Sequence, residues 1–141
     1  MGLATYLTFD GNAEEAMNFY AHALGVQLNE LHRFRDMPES GLPEEFLDRV
    51  MHCNLTFDGT VLMASDAHPQ MGFDGKHAGF SVSVNVQTPE RADTIFNALS
   101  EGANVIMPMG ETSWAARFGM LADKYGIGWM VNCDHAPDIS Y

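Results

Sequence analysis

An α+β fold built from two tandem βαβββ modules is what this 141-residue sequence predicts. Three observations carry that expectation. Two amphipathic helical stretches are each introduced by a strand and a capping residue and closed by a glycine. Each is followed by three extended stretches separated by turn signals. The order then repeats roughly seventy residues later, which marks an internal duplication rather than a single mixed sheet.

The first module begins with an alternating strand over residues 4–9. Gly11-Asn12 breaks it, with Asn12 placed as a helix N-cap and Glu15 three residues on, an approximate capping box. Ala13, Ala16, Phe19, Tyr20, Ala23 and Leu24 share one helical face, and Gly25 ends the helix. Extended segments follow at 26–35, 49–57 and 60–65. An acidic Pro- and Gly-containing loop (36–48) separates the first two, and an Asp58-Gly59 hairpin turn separates the last two. The stretch 67–78 is dense in turn residues and reads as a linker between modules 1–66 and 79–141, which together are expected to form one compact domain.

The second module repeats the order. Phe80, Val82, Val84 and Val86 alternate with Ser81, Ser83 and Asn85 in a half-buried strand. Thr88-Pro89 pairs an N-cap with proline at the first helical position. Ala92, Ile95, Phe96 and Leu99 form the apolar face, and Gly102 follows. Strands are expected over 104–109, 117–122 and 127–133, the last two joined by Asp123-Lys124-Tyr125-Gly126. Asp123 and Gly126 read as turn-makers, since an Asp side chain bonds the backbone two residues on and glycine tolerates positive φ.

Composition excludes several function classes. The net charge is −12 and the seven basic residues are scattered, which disfavours phosphate-backbone binding. No apolar run approaches the ~20 residues that span a bilayer, and no basic-then-apolar leader pattern stands at the N-terminus. The expectation is a cytoplasmic protein without membrane partners. Cys53 and Cys133 sit in strand-like runs without a C-x-x-C motif and read as buried free thiols.

Tyr6-Leu7-Thr8-Phe9-x-Gly11-Asn12, Ser65-Asp66-Ala67, Glu111-Thr112-x-Trp114-Ala115, Phe118-Gly119 and Asp123-Lys124-x-Gly126 resemble the PhnB-like branch of the vicinal oxygen chelate superfamily. That superfamily includes glyoxalase I, extradiol dioxygenases and bleomycin-resistance proteins. The resemblance covers nearly the whole chain. It implies that each module rolls its sheet into a half-barrel lining a central cleft, often completed by a homodimer. Metal-dependent members hold a divalent ion with His, Glu or Gln from the first, fourth, fifth and eighth strands. Those positions fall here near Thr5, Met63, Ser81 and Met130, none of which suits such an ion. No cofactor is therefore expected. A divalent metal held by relocated ligands (His52, Asp66, His68 and His77) is the alternative.

With the ligand positions substituted, Tyr6, Met63, Ser81, Ser83, Trp114, Phe118, Trp129 and Met130 are the expected lining of an aromatic ligand-binding cleft. The expected function is metal-independent binding of a small organic ligand. An enzyme of lyase, isomerase or dioxygenase type is the rival reading, and it needs a titratable group in the cleft. Asp66 and Glu111 are the candidates for that role.

Overall fold

The computed structural model describes residues 2–37 and 41–136; positions 38–40 of the acidic loop and 137–141 of the second module lie outside the described residues. The chain divides into two compact units, Met1–Lys76 and His77–Tyr141, with the boundary inside the expected linker.

In the first unit, β1 (Thr5–Phe9), α1 (Ala13–Leu24), β2 (Leu28–Arg33), β3 (Val50–Phe57) and β4 (Thr60–Asp66) follow in the expected order. The strands form an open mixed sheet in the order β1-β4-β3-β2, with β1 parallel to β4 and the other neighbours antiparallel. The β3–β4 turn places Asp58 at φ 48° and Gly59 at φ 79°, the two positive values that a two-residue primed hairpin turn needs. Alternation sorts the side chains. Leu7, Phe9, Cys53, Leu55, Leu62 and Ala64 are buried with Ala16, Met17 and Tyr20 of the helix, which packs chiefly on β3. Tyr6, Asn54 and Met63 stand on the opposite, open face.

The N-terminus of α1 corrects one expectation. Asn12 occupies the N-cap position but makes no side-chain cap bond, so the Asn12–Glu15 box does not form. Asp66, at the end of β4, takes the role instead. Its carboxylate accepts the N–H of Gly11 (2.9 Å) and Ala13 (2.9 Å), and its other oxygen accepts Val50 N–H (2.8 Å). A buried carboxylate at a helix N-terminus meets unsatisfied donors and the positive end of the helix dipole together.

The second unit repeats the plan with β5 (Val82–Val86), α2 (Pro89–Leu99), β6 (Asn104–Gly110), β7 (Ala115–Ala122) and β8 (Gly128–Asp134). Its open mixed sheet runs β5-β8-β7-β6, with β5 parallel to β8. Thr88 caps α2 by accepting Arg91 N–H (3.2 Å), as the sequence predicts. Val84, Val86, Leu121, Trp129 and Val131 are buried with Ile95, Phe96 and Leu99 of the helix. Gly119 permits this packing, since a Cβ there would stand 2.6 Å from Met109 Sδ and 2.7 Å from the Phe96 ring.

The β7–β8 turn also follows expectation. Asp123 accepts the N–H of Tyr125 (2.8 Å) and Ile127 (3.1 Å), and its second oxygen takes the Trp129 indole N–H at 2.8 Å. Both cysteines are buried and free. Burial, with Asp66 and Glu14 adding negative charge nearby, pushes the Cys53 thiol up to about 11. Burial likewise raises Cys133, with Asp134 and Glu90 adding to the effect. Neither is an activated nucleophile. Among the described residues, no helix is long and apolar enough to cross a membrane.

Candidate functional site

The candidate side chains lie on the sheet faces that the helices leave uncovered. In the first unit, strand register aligns Tyr6, Met63, Asn54 and Glu30 in one row across β1, β4, β3 and β2. A hydrogen-bonded network runs along it. Tyr6 Oη lies 3.0 Å from His52 Nδ1, and Asn54 Nδ2 lies 3.1 Å from His52 Nε2. Asn54 Nδ2 also donates to Glu30 Oε1 (2.8 Å), while Asn54 Oδ1 accepts from Asn29 Nδ2 (3.1 Å). A β-bulge between Leu28 and Glu30 lets the consecutive Asn29 and Glu30 both reach Asn54. His32 Nε2 closes the far end, 3.2 Å from Glu30 Oε2. The bonds from His32 and Asn54 hold the Glu30 carboxyl below the usual carboxylate range, so it is ionised at neutral pH.

The open face of the second unit has another character. Register aligns Ser83, Met130, Met120 and Met107 in one row, and Asn85, Asn132, Phe118 and Gly110 in the next. Asn132 Nδ2 donates to Asn85 Oδ1 at 3.2 Å. Trp114 meets Phe118 edge-on, with ring centroids 5.5 Å apart, and is 58% exposed. Ser81 lies just before β5, against Gly128, where an added Cβ would come within 2.9 Å of its hydroxyl.

Of the residues expected to line a ligand site, Tyr6 and Met63 share the open face of the first unit. Ser83, Phe118 and Met130 share that of the second, with Trp114 against Phe118. Trp129 does not join them. It is buried on the helix side and held by Asp123, because its neighbour Met130 takes the open parity of β8. Asp66 is likewise no free acid, since its carboxylate accepts the backbone N–H groups of Gly11, Ala13 and Val50. Glu111 is exposed just beyond β6. Glu30, Asn54 and Asn29 were not singled out by sequence, although the alternation of His52, Asn54 and Thr56 with Cys53 and Leu55 marks a polar face on β3.

A superfamily metal site does not fit these residues. The pairs Tyr6–Met63 and Ser83–Met130 occupy the open-face positions, one step from Thr5 and two from Ser81 in the expected register. Phenol, thioether and hydroxyl groups supply neither imidazole nor carboxylate. As for the relocated set, His52 is engaged by Tyr6 and Asn54, and Asp66 by the helix terminus. His68 Nδ1 accepts Gln70 N–H, and His77 stands edge-on to Phe80. Among the described residues, no three His, Cys, Asp or Glu side chains are grouped to hold a metal.

A cavity of about 350 Å³ beside the β3–β4 hairpin is bordered by Gly2, Leu3, Ala4, Gly59, Thr60 and Val61 and has no titratable side chain on its wall.

The model of the 3-demethylubiquinone-9 3-methyltransferase family matches residues 1–132. The chain belongs to this PhnB-like family. It is 42% identical to protein PA1353 of Pseudomonas aeruginosa, whose crystal structure superposes with a TM-score of 0.86 over 96% of this chain and 99% of that one. The PhnB protein of Bacillus cereus is 31% identical, with a TM-score of 0.75 over 94% and 99%. Protein YjdN of Escherichia coli (strain K12) is 33% identical over 94% of this chain and 95% of its own length. A glyoxylase/bleomycin resistance protein/dioxygenase domain from Frankia sp. EAN1pec, 16% identical with a TM-score of 0.63 over 96% and 98%, shares the fold. The family and fold inferred from the motifs are thus the ones found.

Proposed function

We propose that the protein binds a small organic ligand on the open face of its sheets without using a metal ion. One observation carries this reading. The face presented by the second unit is made of Met107, Met120, Met130, Phe118 and a largely exposed Trp114, with Ser83, Asn85 and Asn132 among them. Thioethers adapt to irregular shapes, and aromatic rings stack planar groups or hold a cation over their faces. A few polar groups set into such a surface are what orients a ligand. The family name describes methyl transfer. Among the described residues, the open mixed sheets lack the doubly wound, Gly-rich strand-to-helix turn that seats a nucleoside cofactor, so the sheet faces are the better guide.

Fluorescence tests the reading, because the two tryptophans differ. Trp114 is exposed, whereas Trp129 is buried and hydrogen-bonded. Titration with a panel of planar neutral and cationic compounds should change the emission, and Trp114→Phe should remove the change while leaving the Trp129 signal. An unchanged spectrum across the panel contradicts the proposal.

A metal-free enzyme is the second reading. The Tyr6–His52–Asn54–Glu30 network favours it, because it brings titratable groups to an open face. Self-association is part of the same proposal. Edge strand β6 exposes three consecutive apolar residues, Val105, Ile106 and Met107, and such an edge is a template for a second copy. Light scattering at micromolar concentration should give the mass of a dimer; a monomer mass refutes this.

A further inference from the structure

We propose that the open face of the first sheet is an oxygen-recognition site, in which the Tyr6 hydroxyl donates its hydrogen to the carbonyl oxygen of a neutral ligand. This deepens the ligand-binding reading above and rests on it.

The direction of the donor follows from the far end of the network. A carboxylate only accepts, so the amide nitrogen of Asn54 must face Glu30 Oε1. The reverse amide orientation would set carbonyl oxygen against carboxylate and the Asn54 NH₂ against that of Asn29. The same nitrogen then directs its second hydrogen at His52 Nε2, which accepts. A neutral imidazole with an accepting Nε2 carries its hydrogen on Nδ1. Nδ1–H therefore donates to the Tyr6 oxygen, 3.0 Å away. The phenolic hydrogen is left to point elsewhere, and among the described residues His52 is the one hydrogen-bond partner of that hydroxyl. Tyr6 is 47% exposed, so the donor is accessible.

The surroundings select the acceptor. Met63 stands between Tyr6 and Asn54 in the row and offers an apolar, polarisable contact. Glu30 ends the same row, and the chain carries a net charge of −12, which opposes an anionic ligand. A cation without an acceptor atom would leave the phenolic hydrogen unpaired. A neutral ligand with a carbonyl oxygen on an apolar body fits both neighbours.

Three experiments test this. Long-range ¹H–¹⁵N NMR of the ligand-free protein at neutral pH should find His52 as the Nδ1–H tautomer; an Nε2–H tautomer overturns the proposal. Calorimetric titration with 1-indanone, and with indane as the same skeleton without oxygen, should find both bound. Tyr6→Phe should weaken 1-indanone about fivefold and leave indane unchanged, the effect of one neutral hydrogen bond. The carbonyl stretch of bound 1-indanone should lie lower in the parent protein than in the variant. Binding of both compounds with no change in Tyr6→Phe overturns the oxygen donor and leaves the ligand-binding reading standing. Failure of both to bind at millimolar concentration overturns the reading beneath it.

Discussion

In the first sheet, the row Tyr6, Met63, Asn54, Glu30 sets one thioether among three polar ends; in the second, the corresponding row Ser83, Met130, Met120, Met107 sets one hydroxyl beside three thioethers. The helix-facing sides show no such divergence. Leu7, Phe9, Leu55 and Leu62 in one unit correspond to Val84, Val86, Leu121 and Trp129 in the other, all apolar and buried. Close packing against a helix admits few volume changes, so that side is held to aliphatic and aromatic residues. The open face carries no such constraint, and there the repeated scaffold has become one hydrogen-bonding surface and one soft, aromatic surface.

The largest expected effects come from the buried carboxylates, which differ between units in what they tie together. Asp66 joins segments far apart in sequence, whereas Asp123 binds residues within its own hairpin. Asp66→Ala should cost roughly 3–4 kcal/mol, since it strands buried donors that bond a charged acceptor. Asp123→Ala should cost less, about 2 kcal/mol, because the part-buried Tyr125 N–H can rehydrate while the Ile127 N–H and the Trp129 indole N–H are left buried. Urea unfolding checks both, and equal costs would erase this contrast.

Those two residues also show how far the sequence is legible. Both helices, every strand of each module and the Asp123 turn follow from alternation, caps and turn residues, all of which are local signals. Asp66 was a catalytic candidate because nothing local reveals that the end of β4 lands against the N-terminus of α1. Trp129 was misplaced for a related reason. Strand parity is set by which neighbours enter the core, and one step exchanges Trp129 for Met130. Much of the open face was readable, since Tyr6, Met63, Ser83, Phe118 and Met130 lie on it. Glu30 and Asn54 needed the β2–β3 register and its bulge.

A smaller effect probes the shared helix-facing packing. Gly119→Ala should destabilise by about 1–3 kcal/mol, because the rigid Phe96 ring cannot yield as the Met109 side chain can. A neutral or stabilising result by thermal melting would mean that the two layers are looser than described.

The smallest effect lies in the polar network itself. The bonds from His32 and Asn54 lower the folded-state pKa of Glu30 below its unfolded value. Its contribution to stability is therefore present above the unfolded pKa and lost as pH falls through the folded one. Carboxyl ¹³C NMR should place the Glu30 titration below that of an ordinary glutamate, and Asn54→Ala should move it back up. A normal titration in the parent protein would dissolve the electrostatic distinction between the two faces.

The claim on which the rest depends is that the open sheet faces, and not the helix-facing layers, take the ligand. Selective ¹³C-methyl labelling of the ten methionines places probes on both sides of the sheets. On saturation with indane, methyl signals on the open faces, Met63 beside Tyr6 in the first unit or Met107, Met120 and Met130 in the second, should shift, while Met17, on the buried face of α1, stays fixed. Methyl signals of all four that stay in place while indane demonstrably binds would contradict the account and put the ligand elsewhere.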